Sequence, residues 1–418
     1  MGIRGLSRGS DRDSISPAEL DLWSAEAKRL ANDRQYASAA ELYGAVARDG
    51  ARIHGAQSAL VMGARLAHAR CTGQSGRFVS GIEMFEVLLP EISRLRGADH
   101  PDTLGTRFWH ARFVGQAGNP ARAVELFTVL IQDNMRVRGA KHVGTLSNRY
   151  WHAYNTAEAG DPARAVKLLA KLIDDNTRIR GADHLETLNM RLWHGRFTAQ
   201  AGNPARAAEL LAKLIGDDAR VRGADDPQTL STRFWRARTF GQAAWYGRAV
   251  DLFADLISDN VRVRGTDHAG TLSNRYWHAY YTEEAGDPAR AAELLVELIG
   301  DNTRIRGADD LETLAVRIRH ARCTGMTGHP AQGARLFAEL ARDHARVCGV
   351  DDYRTLNSRL WHARFTGESG HPVSAVELLD VLAQDYVRIR GADHADTRNC
   401  LHLLDVFTKQ ARMGDRST

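Results

Sequence analysis

His110, His152, His194, His278, His320 and His362 form a series that invites a metal assignment. Zinc needs its nitrogen and thiolate ligands gathered within about 2.0–2.3 Å of one ion. These histidines recur at steps of 42 residues or a multiple of it, one per structural unit. Neighbours should therefore stand on the order of 10 Å apart, a helix diameter, and the row cannot converge. Each is expected to be half-buried and bonded to backbone or carboxylate. A second series, His100, His142, His184, His268 and His394, is replaced by Asp226, Asp310 and Asp352 elsewhere, which suits helix starts rather than chemistry. Cys71, Cys323, Cys348 and Cys400 show no CxxC pair and read as reduced core thiols. No phosphate-cradling GxxxxGK[ST] loop, HExxH or GxSxG occurs, and no Ser or Cys stands beside a base in a unique segment. The sequence thus assigns no catalytic residue, no metal and no cofactor.

A different chemistry does repeat. Trp109, Trp151, Trp193, Trp235, Trp277 and Trp361 recur in step, broken only by Arg319. Three residues later come Arg112, Tyr154, Arg196, Arg238, Tyr280, Arg322 and Arg364. Four residues beyond those come Gln116, Glu158, Gln200, Gln242, Glu284, Met326 and Glu368. On a helix at about 100° per residue the three rows share one stripe, a quarter-turn from the apolar stripe of Leu104, Phe108, Ala111 and Gly115. A guanidinium three residues from an indole can lie on its face, worth about 0.5–1 kcal/mol when exposed. Residues constant in every unit build the unit, whereas those that vary can discriminate ligands. The Arg/Tyr and Gln/Glu rows are therefore the stronger specificity candidates. The Trp row either packs against the next unit or offers a ring face, and one indole can do both.

The elements that must position these rows follow from the repeat. Glycines close the phrase Arg-Val/Ile-Arg-Gly at Gly139, Gly181, Gly223, Gly265, Gly307 and Gly391, and its Leu variant at Gly97. A period of this length means stacked small units, none of which buries its apolar face alone. In the block 99–139, Asp99 is expected to cap a helix running to about Ala117, and Asp183-x-x-Glu186 and Asp309-x-x-Glu312 read as capping boxes. Gly118, Asn119 and Pro120 then supply a C-terminal glycine, a new cap and a first helical residue. Ala123, Leu126, Phe127, Leu130 and Ile131 give the second helix a 3.6-residue stripe. Positions equivalent to Ala111 and Ala123 stay Ala or Gly throughout, marking the close approach within each hairpin. The count is hairpins at 16–54 and 58–96, seven more over 100–390, and a closing helix at about 394–412. Residues 1–15 and 413–418 are expected to be disordered tails.

Arg107, Arg149, Arg191, Arg233, Arg275, Arg317 and Arg359 recur opposite Asp133, Asp175, Asp217, Asp259, Asp301, Asp343 and Asp385. These predict an Arg–carboxylate ladder between helices, bidentate where geometry permits, whose breakage would destabilise strongly. One joint departs from the pattern: Ala244-Trp245-Tyr246-Gly247 stands where its sisters have Gly-Asn/Asp-Pro.

The 42-residue period and the joint Gly-Ala-Asp-His-x-x-Thr-Leu resemble the tetratricopeptide repeat, in the kinesin-light-chain-like subclass found as arrays in actinobacteria. The resemblance covers about 16–412. It implies an all-α fold, a right-handed α-solenoid of antiparallel helical hairpins whose first helices line a concave groove. It further implies that the Trp, Arg/Tyr and Gln/Glu rows are the partner-binding positions. Trp109-His110 stands where many such repeats carry Asn-Leu, which removes the family's usual grip on a ligand backbone. The implied function is a scaffold or adaptor holding a peptide or protein partner of aromatic or apolar and acidic character. The alternative is a regulatory protein that binds a small peptide signal and controls a separate effector.

Composition agrees with a binding role. The net charge is +5, and the basic residues are spread at repeat positions rather than clustered, which argues against nucleic acid. No run approaches the roughly 18 apolar residues of a membrane span, and no apolar leader opens the chain, so the expectation is a cytoplasmic protein with no membrane partner. Self-association by end faces remains open.

Overall fold

The computed structural model describes residues 15–414. These form nineteen α-helices and no strand among the described residues. The first four are α1 (Pro17–Asn32), α2 (Tyr36–His54), α3 (Ala59–Gln74) and α4 (Phe78–Arg96). Then follow α5 (Pro101–Gln116), α6 (Pro120–Arg138), α7 (Val143–Glu158), α8 (Pro162–Arg180) and α9 (Leu185–Gln200). Beyond a joint come α10 (Pro204–Arg222), α11 (Pro227–Gln242), α12 (Tyr246–Arg264), α13 (Ala269–Glu284) and α14 (Pro288–Arg306). The chain closes with α15 (Leu311–Met326), α16 (Pro330–Cys348), α17 (Tyr353–Glu368), α18 (Pro372–Arg390) and α19 (Ala395–Gly414). The chain divides into two compact units, the first ending at Gly202 and the second beginning at Asn203. Most of the two expected tails lies outside the described residues. Ile15, however, packs on the first hairpin's core, and residues 413–414 belong to α19.

Helix boundaries follow local chemistry. Most hairpin turns hold a glycine in the left-handed region, such as Gly118 at φ 93°, whereas Arg34 and Ala244 take that place in the α1–α2 and α11–α12 turns at φ 59°. Asn119 then accepts from the Arg122 amide, and Pro120 opens α6 with its missing N–H at no cost. One expectation is corrected. The cap of α5 is His100, not Asp99: its Nδ1 accepts from the Asp102 amide at 3.2 Å. Asp310 likewise caps α15 in place of Asp309. The displaced aspartates are engaged elsewhere, since Arg136 grips Asp99 through both its terminal nitrogens at 2.7 and 2.5 Å. A threonine two residues inside the helix adds a clasp unforeseen in the sequence. Thr103 Oγ1 donates to the Gly97 carbonyl at 2.8 Å, and Thr145, Thr229 and Thr355 repeat the bond.

Packing confirms the role of the small positions. Ala111 and Ala123 are fully buried, as are Ala153 and Ala165 in the next hairpin. Around them Leu104, Phe127 and Leu130 close one core per hairpin, each large side chain contributing about 1.5–3 kcal/mol by leaving water. The Arg–Asp ladder is present: Arg107–Asp133 at 2.8 Å, Arg149–Asp175 at 2.9 Å, Arg233–Asp259 at 2.7 Å and Arg359–Asp385 at 2.7 Å. The Arg107 rung is not bidentate. Asp133 Oδ2 accepts from Arg107, while Oδ1 turns to Arg136 at 3.4 Å.

Within each unit the first helices of successive hairpins, α5 and α7 for example, touch one another, and no pair of successive second helices does so to the same extent. The first helices are thus the more closely spaced row of each unit, termed the inner helices below.

Candidate functional site

The three rows lie on those inner helices. In the first unit α5 carries Trp109, Arg112 and Gln116, α7 carries Trp151, Tyr154 and Glu158, and α9 carries Trp193, Arg196 and Gln200. In the second unit α11 carries Trp235, Arg238 and Gln242, α13 carries Trp277, Tyr280 and Glu284, α15 carries Arg322 and Met326, and α17 carries Trp361, Arg364 and Glu368. The rows differ in depth. Gln116, Glu158, Gln200, Gln242, Glu284 and Glu368 are exposed, as is Met326 at 57%. The indoles are half-buried, and so are the Arg/Tyr residues except Arg364, which is exposed.

Trp109, Trp151, Trp193, Trp277 and Trp361 are each seated on the core of the hairpin before. Trp109 joins the α3–α4 core, Trp151 the α5–α6 core, Trp193 the α7–α8 core and Trp361 the α15–α16 core. The second row fills the gaps between indoles. Arg112 lies over Trp109 at 4.9 Å and over Trp151 of the next hairpin at 4.3 Å. Tyr154 meets Trp151 edge-on at 5.4 Å and Trp193 at 4.8 Å. Arg196 closes on Trp193 at 3.8 Å. In the first unit this makes one ladder of alternating rings and guanidinium groups. The second unit has the same motif, with Arg238 at 3.2 Å from the Trp277 ring and Arg364 at 4.9 Å from Trp361. The row spacing predicted the pairing of Arg with its own helix's indole. It did not predict the contact with the indole one hairpin on.

These cations are not equally satisfied. Arg364 bonds Glu368 at 2.8 Å. Arg112 and Arg238 have no carboxylate partner among the described residues, and the buried Nε of each makes no hydrogen bond. Loss of hydration lowers the pKa of both guanidinium groups, with nearby tyrosines opposing it. The charge persists nonetheless, because a guanidinium starts so high. Arg112 and Arg238 thus carry a positive charge that no carboxylate among the described residues neutralises.

The break at Arg319 has a local explanation that sequence reasoning missed. Glu283 stands where Gly115, Gly241, Gly325 and Gly367 stand in other hairpins, and it is buried. Gly241, Gly325 and Gly367 leave room for Tyr281, Phe365 and Phe407 of the following hairpin. Forty residues after Glu283 the ring is replaced by Cys323. Into that space the Glu283 carboxylate binds Arg319 and accepts from Arg322 at 2.6 and 3.0 Å. Arg319 lies over the Tyr280 ring at 4.0 Å, in the place an indole takes elsewhere. Glu283 and Arg319 thus depart from the repeat together, and Cys323, at a position that is also non-aromatic at Cys71, Asn155 and Thr239, leaves the space they fill; the signal was the joint departure at 283 and 319.

The histidine row lies beside the hairpin contact. His152 is buried, and His110 faces Glu86 at 3.6 Å. Burial lowers the pKa of His110, His152, His278, His320 and His362. No three His, Cys, Asp or Glu residues gather into a metal site among the described residues. Nor is any described helix long and apolar enough to cross a membrane. One thiol departs from expectation: Cys71, Cys323 and Cys400 are buried, but Cys348 is partly exposed beside Arg354.

No protein-family model matches the sequence, and no curated protein does. Solved structures do match. A signal-transduction ATPase with a tetratricopeptide repeat sensor, from Pyrococcus horikoshii, aligns with a TM-score of 0.56 at 12% identity, over 95% of this chain and 56% of that one. The quorum sensor NprR from B. thuringiensis aligns with 0.54 at 10% identity, over 88% of this chain and 97% of that one. The fold is a tetratricopeptide-type helical repeat. Kinesin-light-chain-like repeats from Podosopora anserina match 49% of this chain and 97% of theirs at 21% identity, with a TM-score of 0.45.

Proposed function

We propose that this protein is a non-catalytic scaffold that holds an extended peptide or protein segment along the inner helices of its repeats. The observation that carries this reading is the ladder of half-buried indoles and carboxylate-free guanidinium groups beside an exposed row of Gln116, Glu158, Gln242 and Glu284. Trp and Arg are the residue types that dominate binding hot spots, and the inner helices present both. Constant indoles give affinity, whereas the varying second and third rows give register. A partner with aromatic or apolar side chains would lie on the rings, and its acidic groups would meet Arg112 and Arg238. Because Arg322 and Arg364 are already neutralised by Glu283 and Glu368, acidic ligand positions should favour α5 and α11 over α15 and α17.

The matched Pyrococcus horikoshii signal-transduction ATPase carries a tetratricopeptide repeat sensor, and NprR is a quorum sensor, which favours a second reading. There the same surface takes a small peptide signal and the protein governs a separate effector. Affinity capture distinguishes the two: a stable protein partner supports the scaffold, and a short peptide eluting alone supports the sensor. Both readings require that Gln116→Ala/Glu158→Arg, an exposed pair whose replacement leaves the core untouched, lose the captured species. Retention of every species by that variant would place binding elsewhere.

A further inference from the structure

The rows carry a longer rhythm than the single repeat. The second row reads Arg, Arg, Tyr from α3 to α7 and again from α9 to α13, and the third reads Gln, Gln, Glu over the same helices. On α5 and α7 the three rows are Trp109, Arg112, Gln116 and Trp151, Tyr154, Glu158. Three repeats later α11 and α13 carry Trp235, Arg238, Gln242 and Trp277, Tyr280, Glu284, the same six residue types in the same order. The first set lies wholly within the first compact unit and the second wholly within the second.

The geometry matches as well. Phe108 meets Trp109 edge-on at 5.4 Å and Phe234 meets Trp235 at 5.3 Å, while Tyr150–Trp151 and Tyr276–Trp277 stand at 5.5 and 5.4 Å. Arg112 covers Trp151 as Arg238 covers Trp277, and the buried Nε of each arginine makes no hydrogen bond. Glu158 forms no salt bridge among the described residues. Glu284 has Arg322 at 3.9 Å, a cation that Glu283 already holds. Other exposed positions of the two blocks differ. Lys167 and Lys171 of α8 correspond to Glu293 and Glu297 of α14, and Val129 of α6 to Asp255 of α12. Gln116 and Glu158 are exposed too, yet both are matched.

Each set places a positive group, Arg112 or Arg238, one hairpin before a negative one, Glu158 or Glu284, with Trp151 or Trp277 against the arginine. Helices in contact have axes about 10 Å apart, a gap that about three residues of extended chain span. A strand crossing it would set an acidic side chain at the arginine, an apolar one on the rings and a basic one at the glutamate.

We propose that α5–α7 and α11–α13 are two copies of one recognition site, and that the partner carries the matching motif twice: an acidic, an apolar and a basic residue within about four positions. This rests on the peptide-binding reading and specifies its partner. One copy is held weakly. Joining two copies in one partner raises affinity through effective concentration, with no new contact. Loss of one site therefore releases the whole partner, in accord with the capture outcome expected for Gln116→Ala/Glu158→Arg.

Random peptides of about twelve residues, displayed on phage and selected on the full chain, test the proposal. One selection uses Gln116→Ala/Glu158→Arg, which leaves the second site, and another uses Gln242→Ala/Glu284→Arg, which leaves the first. Both should converge on one consensus that holds the acidic, apolar and basic residues in that order or its reverse. A single synthetic copy should bind the wild-type chain two to one in calorimetry, a readout that needs no variant. Two copies joined by Gly/Ser linkers of about 10, 20 or 40 residues should, at the best length, bind at least about tenfold tighter than one copy. Either double variant should remove that gain. Unrelated consensus sequences, a single peptide per wild-type chain, or no gain at any linker length would overturn the duplicated site while leaving peptide binding intact. A wild-type chain that enriches no peptide would end the peptide-binding reading itself, and the duplicated site with it.

Discussion

Glu283 has a side chain only 5% exposed, and it holds two guanidinium groups, Arg319 and Arg322. Removing one member of such a buried set leaves the rest desolvated and uncompensated. Glu283→Gln should therefore cost about 3 kcal/mol in a urea unfolding experiment. The triple change Glu283→Gly/Arg319→Trp/Cys323→Phe restores the repeat's ordinary packing and should recover most of that loss. A triple variant less stable than the single one would show that the three positions are independent. The thiols give a second test at this scale. Burial raises the Cys323 pKa to about 12 and the Cys400 pKa to about 11, so both should resist alkylation in the folded protein at neutral pH. Mass spectrometry after brief maleimide treatment should find Cys348 modified first. The sequence disclosed the cysteines but not this order, because exposure at 348 depends on how α16 ends beside Arg354. The Arg319 break was visible in the sequence. Its partner was not, because Glu283 lies one residue before the row residue Glu284 and resembles it until burial separates them.

Among the elements, most hairpins were legible almost residue by residue, because glycine and proline mark their joints, as at Gly118-Asn119-Pro120, whereas the joints at 34–36 and 244–246 carry neither signal. The helix starts were misplaced by one position. Adjacent residues such as Asp99 and His100 can both cap, and only the third dimension shows that Arg136 has claimed Asp99. The same arginine changes the expectation for the ladder. With Arg107 gone, Asp133 still keeps Arg136, and both ladder side chains are about a quarter exposed. Arg107→Met should therefore cost only about 1 kcal/mol, against the strong loss that pairing alone suggests. A loss several times larger would mean that Arg136 cannot compensate. Gly241→Ala makes a sharper contrast. Its Cβ would enter the Tyr281 ring, so overpacking of about 1–3 kcal/mol is expected, with α11 and α13 forced apart.

For the whole molecule, the repeated histidines tie stability to pH. Burial lowers the pKa of His68, His110, His152, His278, His320, His344 and His362 below the usual 6.5. A depressed histidine binds its proton more readily in the unfolded chain, so stability is full above about pH 6.5 and declines as the pH falls through it. The paired aspartates, such as Asp259, Asp301 and Asp385, are lowered by their arginines and add a second loss below the ordinary carboxylate range. Urea midpoints at pH 7.5, 6.5 and 5.5 should fall in that order, and a midpoint constant across the series would contradict the buried, neutral histidines. The period gave the architecture of the repeats, and the rows gave the face they share. What periodicity could not give is depth, since one stripe holds half-buried indoles, stacked guanidinium groups and exposed amides at equal spacing. Partners held on the inner helices would lie within reach of Gln116 and Glu158. A photo-crosslinking residue at Gln116 or Glu158 should capture the bound partner, whereas one at the exposed Glu125 of α6 should not. Crosslinks from Glu125 with none from Gln116 or Glu158 would contradict that placement.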